Sequence, residues 1–307
     1  MIQRVPRRLA RATNFALVAL LCVLSCGCGK SGSTGAPPAQ NKSPTVASLV
    51  PAATDLLVGM GAGDHLVAVS NYDLIPQVSR LPRVGDYQAI DWEKLSVVRP
   101  NVLISFYGPG HTPAGFLEKI GQLNIQQINV KLDRLDEIYD GIIKLGAACD
   151  ERAKAEAELS RLRSAIESVR ARFKDQPRVP ALITISPSGT DLVGQNTFFD
   201  DILQAAGGEN VVGGAHPYLT LDREAISALR PRVILQLLPG RDAQTVAQAR
   251  AAWNSLSDVP AVRDNRIIIW TEDYIMQPGP HLGEVAEKFA AALHPDVPSE
   301  PSTRAGS

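Results

Sequence analysis

Tyr87–Val102 reads YQAIDWEKLSVVRPNV, and a second stretch, Tyr218–Val233, reads YLTLDREAISALRPRV. Tyr, Asp, Glu, Ser, Arg, Pro and Val fall at matching positions, while Leu95/Ile226 and Val98/Leu229 keep the same apolar steps. Each copy describes one unit: an aromatic on a loop, a capped helix and a buried strand. Asp91 and Asp222 stand where an N-cap carboxylate accepts from the first-turn amides, and Arg99-Pro100 and Arg230-Pro231 end the helix. Val102–Ile104 and Val233–Leu235 follow as short apolar strands. A unit written twice predicts two similar lobes.

Working outward from the two copies, strands and helices alternate. In the first lobe the apolar runs Val46–Val50, Leu66–Ser70, Val102–Phe106 and Ile125–Val130 read as strands. Ala52–Met60, Asp91–Val98, Pro113–Leu123 and Leu135–Cys149 read as helices. In the second lobe the strands are Ala181–Ser186, Asn210–Val212, Val233–Leu237 and Ile267–Trp270, with a loop over His216–Leu219. Its helices are Thr197–Ala205, Asp222–Leu229, Ala243–Leu256 and His281–Leu293. Such alternation implies central, mostly parallel sheets covered on both faces, an α/β fold. Between the lobes, Asp150–Lys174 has no Gly or Pro and places Leu159, Leu162, Ile166 and Val169 at helical spacing. It predicts one long rigid α-helix, about 35 Å in length, joining the lobes. The expected division is a leader over 1–25, a tether over 26–44, lobes over 45–149 and 176–295 around a linking helix at 150–175, and a frayed tail over 296–307 that loosens from His294.

The 307 residues are enough for two domains, each with its own core. A formal charge of −1, with no basic stripe, gives no footprint for nucleic acid. Arg4, Arg7, Arg8 and Arg11 precede an apolar run, Phe15–Leu24, that is too short to span a bilayer. The sequence Val23-Leu24-Ser25-Cys26-Gly27-Cys28 then resembles a bacterial lipobox, with Cys26 as the lipidated residue and Cys28 as the alternative. The Gly/Ser/Pro-rich tether that follows has nothing to bury. These features place the folded body outside the cytoplasm, anchored to a bacterial membrane. Cys149 lies alone in the folded part and reads as a buried thiol.

The segments SLVPAATDLLVGMGAGDHLVAVSNYD (Ser48–Asp73), LPRVGDYQAIDWEKLSVVRPNVLIS (Leu81–Ser105) and FFDDILQAAGGENVV (Phe198–Val212), with TLDREAISALRPRVIL (Thr220–Leu235) and QPGPHLGEVAEKFAAALHP (Gln277–Pro295), extend the pattern over nearly the whole mature chain. In order and spacing they resemble the helical-backbone substrate-binding proteins of ABC importers for cobalamin, ferric siderophores and haem. That resemblance implies a ligand held between the lobes, an ABC permease and its ATPase as partners, and a monomeric receptor. No resident cofactor is implied, since the ligand brings its own cobalt or iron. It also implies that Glu93 and Glu224, paired members of the repeat, dock the permease, and that Tyr72, Tyr87 and Tyr218 face the ligand with Asp273, Tyr274 and Met276. Ser186–Ser188 and Tyr107–His111 are weaker candidates. Siderophore receptors commonly supply arginines, whereas here His281 follows the PGP motif and the cleft loops carry few basic groups. The ligand is therefore expected to be cobalamin or another corrinoid, with a ferric siderophore or haem as the alternative.

The reading from another class is an extracytoplasmic enzyme using cleft carboxylates. There is no P-loop, G-x-S-x-G elbow or HExxH in the chain. Duplicated helix-cap acids suit one asymmetric active site poorly. No convergent set of His and carboxylates marks a bound metal.

Overall fold

The computed structural model describes residues 43–108 and 110–297. The expected leader, Cys26 and Cys28, most of the tether and the last ten residues lie outside them. The first lobe comprises β1 (Val46–Ser48), α1 (Pro51–Gly59), β2 (Leu66–Ala68), α2 (Trp92–Val98), β3 (Val102–Ser105), α3 (Phe116–Gln122), β4 (Gln126–Asn129) and α4 (Leu135–Ala148). Its four strands form one all-parallel sheet in the order β2-β1-β3-β4.

Then α5 (Arg152–Phe173) runs unbroken for 22 residues, about 33 Å. Ala155, Glu158, Leu162, Ile166, Val169 and Phe173 make its buried stripe, packed mainly on α4. The one charged member, Glu158, is held by the Arg161 guanidinium at 2.6 and 2.8 Å.

The second lobe contains β5 (Val179–Thr184), β6 (Asp191–Val193), α6 (Phe198–Ala205), β7 (Gly208–Asn210), β8 (Tyr218–Thr220), α7 (Arg223–Leu229), β9 (Val233–Leu237), α8 (Ala243–Ala252), α9 (Pro260–Arg263), β10 (Ile267–Trp270) and α10 (Leu282–Leu293). Strands β7, β5, β9 and β10 are parallel, in the same order as the first sheet. Strands β6 and β8 extend the sheet antiparallel. These two were not anticipated: neither Asp191-Leu192-Val193 nor Tyr218-Leu219-Thr220 holds an aliphatic run longer than two residues, and β8 replaces part of the expected loop at 216–219. Strand β7 begins two residues before its expected start.

The repeat is structural. Asp91 accepts from the Lys94 amide at 3.0 Å and Asp222 from the Ala225 amide at 2.8 Å. Arg99 and Arg230 both close their helices in the left-handed region, at φ 48° and 49°. Leu95 and Ile226 are fully buried at matching positions. One apolar cluster runs from Leu56 and Ile138 in the first lobe through Leu162 and Ile166 of α5 to Leu203 and Phe289 in the second. Cys149 is a free, buried thiol, its pKa pushed up to about 11 by burial and by Glu151 and Asp150. The tail was expected to fray from His294. Instead that imidazole stacks on Phe173 with ring centres 4.4 Å apart, extending the core by one residue beyond α10.

Candidate functional site: a cleft at the strand ends

A cavity of about 540 Å³ is lined from both lobes. Half of its wall follows strand ends: Leu49 to Ala52 after β1, Phe106 after β3, Leu132 and Asp133 after β4, and Ile185 after β5. Met276, Gln277 and Pro278 come from the loop after β10. Open parallel sheets place ligands in the crevice outside the carboxyl ends of their strands, and here two such sheets contribute to the same crevice. Phe198 and Phe199, on the first turn of α6, complete the apolar wall.

Three tyrosines line the cavity, Tyr72, Tyr87 and Tyr218, at 58 %, 47 % and 47 % exposure. Aromatic rings this exposed are not part of the core; they are surfaces presented to the cleft. Tyr87 sits on a tight turn. Asp86 accepts from the amides of Gln88 and Ala89 at 2.8 and 3.0 Å, and its own amide donates to the Ala89 carbonyl. Burial pulls the Asp86 pKa upward, but those amides and Asn71 outweigh it and hold the carboxyl below its ordinary value. The turn needs Gly85, whose φ is +100° and where a Cβ would overlap the Ala89 carbonyl oxygen.

Tyr218 is held differently, as the first residue of β8 opposite Val193. Gly194 lets the strands meet: its amide donates to the Pro217 carbonyl at 2.9 Å, and a Cβ there would strike the His216 carbonyl. Tyr72 rides on a loop fastened from beneath by buried Asp73, which accepts from the Ser70 amide at 2.7 Å and the Thr54 hydroxyl at 3.2 Å.

Of the expected loop residues before α10, Met276 lines the cavity while Asp273 and Tyr274 do not. With three residues per turn, the 3-10 turn Asp273–Met276 sets Tyr274 about 120° around its axis from Met276. Tyr274 therefore turns away, stacks on His281 at 4.5 Å and donates its hydroxyl to Glu284. Asp273 lies beside Gly240. Tyr107 packs edge-on against Phe116 in the core, and Ser186 and Ser188 bond to one another at 3.0 Å. None of these three lines the cavity.

Glu93 and Glu224 are exposed in the first turns of α2 and α7, outside the cavity lining, and neither carboxylate enters an ion pair among the described residues. Asp91 and Asp222 are committed to helix capping. No group of three or more His, Cys, Asp or Glu able to hold a metal occurs among the described residues.

Sequence reasoning passed over Asp133, Phe106, Phe198 and Phe199. Their shared signal is position: each sits just past a strand or at the start of a cleft-facing helix. Among the described residues Asp133 is the one acidic side chain in the lining, and no Lys, Arg or His lines it. Burial raises the Asp133 pKa, Glu137 adds to the rise and Lys131 opposes it. Burial and the Asp133 charge together push the Tyr218 phenol upward.

Residues 46–274 match the family model for periplasmic binding proteins. The chain belongs to the periplasmic binding protein family. Its relatives are binding proteins for transport rather than enzymes. A vitamin B12-binding protein of Vibrio parahaemolyticus is 27 % identical over 250 residues, covering 80 % of this chain and 88 % of that protein. The crystal structure of the periplasmic vitamin B12-binding protein BtuF of Vibrio cholerae superposes with a TM-score of 0.68 at 24 % identity, over 82 % of this binding protein and 96 % of that chain. The periplasmic haem-binding protein HutB of Vibrio cholerae superposes at 0.71 with 21 % identity, over 82 % and 99 %. The two solved structures share the two-lobe fold.

Proposed function

We propose that this binding protein captures a bulky, nearly neutral metal chelate, a cobalamin or other corrinoid, between its lobes and delivers it to an ABC importer. The observation that carries the reading is the wall of the cleft: three exposed tyrosines drawn from opposite lobes, set among apolar side chains, with no cation in the lining among the described residues. Aromatic faces and a few hydroxyls suit a flat, partly polar macrocycle, which would lie across the open cleft. The chelate brings its own metal, and the protein performs no chemistry on it. In this reading the chain is held at the outer face of a membrane through lipidated Cys26, or Cys28, and works as a monomer. Glu93 and Glu224 are the two acids that meet basic patches on the permease, setting encounter rate and register. Charge reversal at both is expected to abolish uptake while leaving ligand affinity unchanged, as read by transport assay and calorimetry.

The deciding experiment is calorimetry of the soluble chain against cobalamin, cobinamide, haem and a panel of ferric siderophores. Corrinoid binding is the expected result. A siderophore bound in its place would overturn the choice of ligand, and no binding at all would overturn the reading of the cleft. Haem is the second reading, favoured by the exposed Tyr87 phenol, an oxygen within reach of an iron macrocycle.

A further inference from the structure

Three charged residues, Lys131, Asp133 and Arg134, follow one another closely between β4 and α4, yet only Asp133 lines the cavity. The two cations are engaged elsewhere. Lys131 faces the Glu137 carboxylate at 3.9 Å. Arg134 reaches into the second lobe, where its Nε donates to Asp201 at 2.8 Å and its second arm to Asn196 at 3.1 Å. The Leu135 amide adds a bond to the same Asp201 carboxylate at 3.0 Å. Asp133 is fixed by its backbone: its carbonyl accepts from the Phe198 amide across the lobe boundary at 2.6 Å, and its amide donates to Glu137 at 3.3 Å. The side chain is thus exposed at the cavity wall while its main chain is tied to both lobes, and the cations of its own loop are oriented toward other carboxylates.

We infer that Asp133 is the specificity-determining residue for ligand charge, accepting a hydrogen bond from an amide or cationic N–H on the rim of a macrocycle and disfavouring rims that carry carboxylates. The inference rests on the proposed chelate site and narrows its ligand class. The physical basis is desolvation. In the open cleft, water screens the carboxylate. A macrocycle seated against Tyr218 and Asp133 strips part of that water away, and the group then needs a donor in exchange. A carboxylate arriving at the same place meets a like charge in a medium of lower dielectric than water. An amide rim satisfies the first requirement and avoids the second. Neighbouring groups leave this wall net acidic: Glu137 adds a second carboxylate beside Asp133, Lys131 offsets one of the two, and Tyr218 is a neutral phenol at neutral pH.

The test uses two matched pairs of probes, with the wild-type chain and Asp133→Asn. One pair is cyanocobalamin and a derivative with one side-chain amide hydrolysed to the acid. The other is haem and haem with both propionates converted to amides. Calorimetry of the wild type is expected to favour the neutral member of whichever pair binds by about tenfold or more. In D133N the preference should fall to within about threefold, mainly because the anionic member binds more tightly. Raising the salt from about 0.05 to 0.5 M should narrow the wild-type ratio and leave that of D133N nearly unchanged. Equal ratios in the two proteins, or a wild type that prefers the anionic member, would overturn the inference. Binding confined to the haem pair removes the corrinoid assignment while still judging Asp133 on that pair. No binding of any probe overturns both the filter and the cleft that it serves. The isosteric change keeps both backbone bonds, and circular dichroism of D133N checks that the fold is retained.

Discussion

The two lobes share a four-stranded parallel core in one order, β2-β1-β3-β4 in the first and β7-β5-β9-β10 in the second. They differ at the edge beside β5, where the second lobe adds the antiparallel pair β6 and β8. The difference falls on the repeated tyrosine. Tyr87 is carried by a four-residue turn that depends on a glycine and a carboxylate, whereas Tyr218 is carried by a sheet. One sequence unit thus delivers the same side chain to the same cavity by two backbone routes. The capped helix and the strand after it are the invariant part, and the support of the aromatic is the adaptable part.

If the repeated units are energetically equivalent, their cores must cost the same to damage. Leu95 and Ile226 are both fully buried on the inner faces of α2 and α7. Leu95→Ala and Ile226→Ala are each expected to lower unfolding free energy by about 3 kcal/mol in urea denaturation. A difference of more than about 1.5 kcal/mol between them would break the equivalence and mark one lobe as the better able to collapse around a void.

An asymmetry in pH response comes next. Beneath the Tyr72 loop, burial raises Asp73 to about 6 against the pull of Ser70, Thr54 and Arg83, with Asp55 adding to the rise. The folded chain therefore holds this proton more tightly than the unfolded chain does. The stability it contributes is fully present below the ordinary value of 3.8 and is lost as pH rises through about 6. Relative to Asp73→Asn, in which the amide oxygen still accepts both bonds, the wild type should lose about 2.5 kcal/mol between pH 3.8 and pH 7. Denaturation curves of the two proteins that stay parallel across that interval would show that burial does not raise the Asp73 carboxyl in the folded chain. In the second lobe Asp200 is shifted in the same direction by burial, but it is present in both proteins and cancels in this difference.

The parts that could be read from the chain are those whose causes are local. A cap carboxylate, an Arg-Pro stop and apolar steps at helical spacing all act within eight residues, so α2, α7, β9 and β10 lie where the sequence puts them. The strands β6 and β8 escaped because Asp191-Leu192-Val193 and Tyr218-Leu219-Thr220 contain no aliphatic run longer than two residues; their pairing depends on the close approach at Gly194, which is visible only in space. Tyr274 was drawn toward the cleft by its neighbours and away from it by the rotation of a single 3-10 turn. Asp133 was missed for the longest-range reason. Its standing as the lone acid of the wall depends on where Arg134 is sent, and that is decided by Asp201, 67 residues further on.

The smallest effect tests the tyrosines themselves. Tyr87→Ala and Tyr218→Ala each remove one exposed ring, and with it one aromatic face of the proposed ligand site. A face of this kind contributes about 0.5–1.5 kcal/mol, so each change should weaken binding up to about tenfold. The double variant should lose the product of the two, because the rings come from separate lobes and share no support. Gly85→Ala sharpens the contrast. The added Cβ overlaps the Ala89 carbonyl and distorts the turn, so it should reproduce the loss at Tyr87 while Tyr218, which is held by β6, keeps its share. If Tyr218→Ala binds like the wild type while Tyr87→Ala does not, the ligand leans on the first lobe alone, and the sheet that carries Tyr218 must be explained by something other than the cleft.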